Sequence, residues 1–353
     1  MKKYPLALVT GANGWLGLNL VTALTQGMPD RPDLEPITSL VRCLVLPGSD
    51  VSMLKRISPS IEIVEGDLRD AATRDRFLDN ATGAALFHLA GIIHPVKRVR
   101  EFYDINVGAA KELLQSAVAR GVNRAVIVSS NSPLGCNPYP DHLFVEDSPY
   151  NPYMNYGRSK MLLEQEVARV SAEGKIETVV IRAPWFYGPY QPDRQILFFK
   201  MVRDGKGPIV GSGENRRSMA YLTNLAQGLI LAAATPRATG QTYWVADERP
   251  YSMNEIIDTI ERLLETEFGQ TCAHKRMRLP GLASEVALMI DATLQAAGLY
   301  HQKIHVLSEM NKTIACSVDK AKRELGYTPS VALEEGMRRS LRDWLGDPAL
   351  SKR

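Results

Sequence analysis

A short apolar run, Leu6-Ala7-Leu8-Val9, enters the glycine-spaced turn Thr10-Gly11-Ala12-Asn13-Gly14-Trp15-Leu16-Gly17, which opens a helically periodic stretch from Leu18 to Leu24. A buried strand passing through such a turn into a helix gathers free backbone N–H groups and the positive end of the helix dipole at one point. That point suits a pyrophosphate. Gly11 permits the tight turn, Gly14 the approach of the phosphates and Gly17 close packing of helix on strand. The cofactor contacts expected here are Gly11, Asn13, Gly14, Trp15, Leu16 and Gly17.

Alternating strands and helices continue from this turn and imply an α/β fold with a doubly wound parallel sheet. A second strand spans about Ser39 to Leu46, and neither an acid for a ribose diol nor a base for a 2′-phosphate stands at its end. NAD is thereby slightly favoured over NADP, with Arg42 able to restore a phosphate contact if its side chain turns that way. A third strand leads into Gly66-Asp67-Leu68, where Asp67 either accepts from an adenine amino group or caps the next helix. The fourth, Ala85 to Gly91, ends in Leu89-Ala90-Gly91, small enough for backbone to lie against a cofactor. His88 within it reads as a packed core residue, and His94 beyond it as a substrate contact. The fifth strand ends in Ser129-Ser130-Asn131-Ser132, on the side of the sheet where open α/β folds bind ligands.

The helix that follows carries Tyr156 and Lys160, one turn apart on the same face. A phenol is a poor base at neutral pH, and a neighbouring ammonium favours its ionised form. With Ser130 to hold the substrate oxygen, the set suits proton exchange between tyrosine and an alcohol or ketone while a nicotinamide exchanges a hydride with the same carbon.

In this order the motifs resemble those of the extended short-chain dehydrogenase/reductase family, of the NAD-dependent epimerase/dehydratase type, with some likeness to 3β-hydroxysteroid dehydrogenases. The marks are the glycine turn, Gly66-Asp67-Leu68, His88-Leu-Ala-Gly91, Val128-Ser129-Ser130, Tyr156-Gly-Arg-Ser-Lys160, Arg182-Ala-Pro184-Trp-Phe-Tyr187-Gly188-Pro189 and Glu324-Leu325-Gly326-Tyr327-Thr-Pro329. The resemblance implies that Tyr156 is the general acid/base, that Lys160 lowers its pKa and holds the nicotinamide ribose, and that Ser130 orients the reacting oxygen with Ser132 nearby. It adds Asp67, Leu68, Leu89, Ala90, Gly91, Ser129 and Pro184 to the cofactor contacts. It further implies a Rossmann-type domain over residues 1–183 and a smaller, mostly helical substrate-binding region over 184–353, with parts of 217–248 returning to the first. A homodimer through the helices at about 108–119 and 156–171 is also implied.

Gly205 to Tyr221 looks like the segment of nucleotide-sugar epimerases and reductases in which an arginine contacts the nucleotide diphosphate, and Arg217 is the candidate, ahead of Arg216. A guanidinium fork suits paired bonds to phosphate oxygens. Where relatives have an acid, this chain has Thr223-Asn224. The stretch Leu279 to Leu299 has helical periodicity through Leu282, Val286, Met289, Ile290 and Leu294, and holds Glu285 and Asp291. It reads as an amphipathic helix and not a membrane span, its apolar stripe packing the core, forming a dimer surface or covering an apolar substrate. The expected substrate is thus a nucleotide-sugar, or else a sterol-like or polyketide-like alcohol or ketone. A non-catalytic dinucleotide sensor is disfavoured because Ser130, Tyr156 and Lys160 occur together.

A net charge of +3 over 353 residues without a basic run gives nucleic-acid binding no support. Four cysteines, Cys43, Cys136, Cys272 and Cys316, lie far apart without metal-ligand spacing, so free thiols, no metal and a cytoplasmic location are expected. Met1 to Pro5 is followed by too short an apolar run for an export signal.

Overall fold

All four residues of the first strand, β1 (Ala7–Thr10), are buried, as befits a strand covered by helices on both faces. In the computed structural model, which describes residues 1–346, it is followed by β2 (Val41–Val45), β3 (Glu62–Glu65), β4 (Ala85–His88), β5 (Arg124–Ser130) and β6 (Glu177–Ala183). With the later strand Gln241–Trp244 these form one seven-stranded sheet, ordered Gln241–Trp244, β6, β5, β4, β1, β2, β3. Every pairing in it is parallel. The chain winds outward from β1 through β2 to β3, then crosses back to β4 and winds the other way. The reversal leaves a crevice beyond the carboxyl ends of β1 and β4, and both the glycine turn and Leu89-Ala90-Gly91 open into it.

Helices Trp15–Gln26 and Leu222–Ala234 pack on one face of the sheet, and Ala110–Ala119 and Met154–Ala172 on the other. A wide π-helical stretch, Asp104–Ala109, precedes the third of these. The C-terminal region has its own core, in which Tyr187, Phe199, Ile260 and Trp344 bring together helices Asp193–Arg203, Met253–Thr266 and Leu333–Gly346. Ser252 caps the middle one by accepting from Glu255 N at 3.0 Å. Residues 347–353, assigned with this region above, lie outside the described residues. No helix among the described residues is long and apolar enough to cross a membrane, and all four cysteines are free.

The stretch after Leu279 is helical over Leu282–Ala296 and forms a hairpin with Gln302–Glu309, but its orientation reverses the core-packing expectation. Ser284, Asp291 and Gln295 are buried, whereas Leu282 and Met289 are 70% and 71% exposed. The reason is polar: Ser284 donates to Leu307 O at 2.8 Å, and Gln295 Nε2 donates to both oxygens of Asp291 at 3.0 Å. His305 Nδ1 lies 2.7 Å from Asp291 Oδ2. Buried hydrogen-bonding groups need partners, and here they meet each other across the hairpin, so the apolar stripe is left outside.

Candidate active site

The turn at Gly11 to Gly17 is built for contact closer than a side chain tolerates. Gly11 has φ +68°, and a Cβ there would stand 2.8 Å from Ala90 N; one on Gly17 would stand 2.1 Å from Gly11 O. The helix Trp15–Gln26 begins at Gly14, with no side chain capping its N-terminus, so its dipole end is left for a ligand anion. Asn13 donates to Asp50 O at 2.8 Å, and Trp15 Nε1 to Pro189 O at 2.8 Å, which ties the turn to the loop after the short strand Trp185–Tyr187. Thr10 Oγ1 binds Ala90 N at 3.2 Å and His88 Nδ1 at 2.8 Å, fixing the two strand ends together.

His88 is fully enclosed, and burial, followed by the charge of Lys160, lowers its pKa from 6.5 to about 3. Between those values the unfolded chain binds a proton that the folded chain does not, so stability falls as pH drops through this window. At pH 5 the cost is on the order of 2 kcal/mol. Urea titrations of the wild type and a His88→Asn variant should diverge in slope below pH 6.5, with the variant losing less; parallel pH profiles would refute the assignment.

At the end of β5, Ser130 Oγ lies 3.3 Å from both Ser132 Oγ and Asn131 Oδ1. Tyr156 opens the next helix and packs against Phe102 with ring centroids 5.7 Å apart. Burial raises the Tyr156 phenol to about 12; Ser130 and Arg194 act in the opposite direction, and Glu309 adds to the rise. Lys160 donates from Nζ to Val128 O at 3.1 Å, and burial lowers its pKa to about 8 against the pull of Glu164. Lys160 is not among the groups that shift the phenol here. The ammonium is held on the strand's carbonyl, and Ser130 and Arg194 are the groups that favour the phenolate.

Asn106, on the π-helical stretch, was not singled out by sequence. Its Oδ1 accepts from Ile92 N at 2.8 Å, and its Nδ2 donates to Ile92 O at 3.0 Å and Ser159 Oγ at 3.1 Å. It joins the loop after β4 to the helix of Tyr156 and Lys160, and a helical widening at such a place is a frequent mark of functional sites. Arg194, in the first turn of Asp193–Arg203, was also not singled out by sequence.

Other site candidates fall in different places. His94 is half-buried, with Nδ1 2.6 Å from the Tyr300 hydroxyl; burial, with Arg194 and His305, lowers its pKa to about 4 and keeps it neutral. Arg217 donates from Nη2 to Glu309 O at 2.5 Å, while its Nε is buried without a partner. Arg216 instead bonds Pro140 O at 2.9 Å through Nε. Asn224 donates to Asp247 Oδ1 at 3.0 Å, and that aspartate also accepts from Tyr221 N at 2.9 Å. Asp247 thus brings a carboxylate to the place where Thr223-Asn224 lacks one.

One cofactor expectation changes. Arg42 lies near the start of β2, at the wrong end of the sheet, and spends its guanidinium on Glu62 at 2.7 Å and Asp79 O at 2.6 Å. It is not free for a 2′-phosphate. Ser129 donates to Glu164 Oε1 at 2.5 Å, which leaves only its backbone for a cofactor. Asp67 accepts from Arg69 N at 2.9 Å and does not cap the helix Ala71–Phe77; Asp70 does, accepting from Ala72 N and Thr73 N. Leu68 is buried, with its carbonyl taken by Arg74 at 2.9 Å.

Residues 7–246 match the NAD dependent epimerase/dehydratase family. The chain belongs to that family. It is 54% identical over 341 residues to the protein y4nL of Sinorhizobium fredii, covering 96% of this chain and 95% of that one. It is 25% identical over 355 residues to 3beta-hydroxysteroid-dehydrogenase/decarboxylase isoform 1 of Arabidopsis thaliana, covering 95% and 78%. Among solved structures, UDP-glucuronic acid 4-epimerase from Bacillus cereus in complex with NAD superposes with a TM-score of 0.74 at 18% identity, covering 96% of this chain and 98% of that one. The family makes the protein an NAD-dependent enzyme, and the uncapped helix end and close-packed glycine turn described above fit that cofactor.

Proposed function

We propose that this enzyme acts at a hydroxyl-bearing carbon of a nucleotide-linked sugar, as an epimerase or 4-ketoreductase. The observation that carries this reading is Arg217: its guanidinium is anchored by a backbone carbonyl, makes no ion pair among the described residues, and keeps one N–H buried and unpartnered. A cation so held is available to paired bonds from a diphosphate. NAD supplies a hydride acceptor and donor at the substrate carbon. Tyr156 exchanges the proton of the substrate hydroxyl, Ser130 and Ser132 hold that oxygen, and Lys160 and Asn106 fix the helix and loop on which the cofactor side of the site is built.

The reading as a dehydrogenase of an apolar alcohol draws on the Arabidopsis relative. Its sequence motive is weakened, because the apolar stripe of Leu282–Ala296 is solvent-exposed. Calorimetric titration with UDP-glucose, UDP-glucuronate and dTDP-glucose should find one that binds in the micromolar range. Arg217→Ala should weaken it by about 10- to 100-fold, the range of a lost charge-assisted pair. Binding unchanged by Arg217→Ala, or turnover only of hydrophobic ketones, would overturn the proposal.

A further inference from the structure

The outward stripe on the helical hairpin is a built surface. Leu282, Val286, Met289 and Ile290 are 70%, 47%, 71% and 46% exposed and fall at helical spacing along one side of Leu282–Ala296. The stripe continues beyond the helix. Leu299, 49% exposed, forms a bridge with Arg98, and Tyr300 N donates to Lys97 O at 3.0 Å. This joins the loop carrying Val96, 83% exposed, to the same surface. Beside these apolar residues stand Lys97, Arg98 and Lys303, all exposed and in no ion pair among the described residues. Glu285 is neutralised by Lys312.

We infer that this face docks on the surface of an anionic lipid bilayer. A helix with a single apolar stripe lies in the plane of the headgroups with that stripe among the acyl chains. Long basic side chains at its margin reach back to anionic headgroups. Charge selects this occupant: Lys97, Arg98 and Lys303, exposed and in no ion pair among the described residues, complement an anionic surface. The polar underside of the hairpin binds the docked element to the catalytic helix: Gln295 Oε1 accepts from Asn155 N at 3.1 Å, and Tyr153 and Ser308 hydroxyls lie 2.7 Å apart. The lipid-facing helix is therefore part of the wall that starts at Tyr156. The inference is independent of which substrate the site takes.

The test is co-sedimentation of the full chain with vesicles of phosphatidylcholine alone and of phosphatidylcholine mixed with phosphatidylglycerol. Binding to the mixed vesicles is expected, at least about tenfold tighter than to the neutral ones and weakened by salt. Met289→Ser with Ile290→Ser should abolish it. Lys97→Glu with Lys303→Glu should reduce it by roughly tenfold or more, as expected for two surface cations. All four positions are exposed, so the variants should melt with the wild type, and thermal denaturation checks this. Failure to bind either vesicle, binding indifferent to both variants, or a wild-type dimer abolished by the Met289/Ile290 variant would each overturn the inference.

Discussion

Tyr156→Phe should lower turnover by about 10²- to 10⁴-fold, the usual worth of a positioned acid/base, while leaving the fold and cofactor binding close to those of the wild type. The ring that packs on Phe102 is retained and only the hydroxyl is removed. The split between kcat and KM is the informative readout: an interaction made in the transition state lowers kcat and kcat/KM together. Ser130→Ala should lose less, since Ser132 stands 3.3 Å away and can share the substrate oxygen. Steady-state turnover of the nucleotide-sugar that binds, measured over a range of concentrations, is the measurement, and a Tyr156→Phe enzyme within about threefold of wild type would remove Tyr156 from its role.

Arg182→Met should destabilise the fold by about 3–5 kcal/mol, because it strands a buried carboxylate. Arg182 Nη2 lies 2.8 Å from Glu164 Oε2, with the two side chains only 4% and 3% exposed. Their surroundings are filled: Tyr150 donates to Glu164 Oε2 at 2.9 Å, Ser129 to Oε1, and Arg182 Nη1 to Glu146 O at 2.9 Å. This pair joins β6 to the helix that carries Tyr156 and Lys160 two turns and one turn earlier. Glu164→Leu combined with Arg182→Met should recover part of the loss, since removing both charges leaves neither unpaired. Urea denaturation of the two single variants and the double variant reads this directly; a single variant within about 1 kcal/mol of wild type would show that water reaches the pair.

The contrast between these residues shows how far sequence reasoning extends. Tyr156, Lys160 and Ser130 stand at positions set by local rules, the end of a strand and one turn of a helix, and those rules operate within a few residues. Glu164 and Arg182 belong to the same helix and the next strand, yet neither announces that the other lies opposite, because their meeting depends on how the helix is rotated against the sheet. Arg42 illustrates the same limit. Its sequence position near the second strand left a phosphate contact open, and only the register placing it beside Glu62 closed that option.

The helix Leu282–Ala296 is the sharpest case. Its apolar spacing correctly gave a helix, since periodicity reflects the 3.6-residue turn alone. Which side faces inward is decided by what other elements present to it. Here Asn155, Leu307 and His305 offer polar partners, so Asp291, Gln295 and Ser284 turn inward and the leucine–methionine side turns out. The doubly wound parallel sheet, the glycine turn and the one-turn spacing of Tyr156 and Lys160 were determined by the sequence itself, through local backbone preference and short spacing. The packing of distant polar groups, and with it the disposition of Arg217, Arg194, Asn106 and the outward apolar face, was decided only when the tertiary structure brought partners from far along the chain within hydrogen-bonding distance.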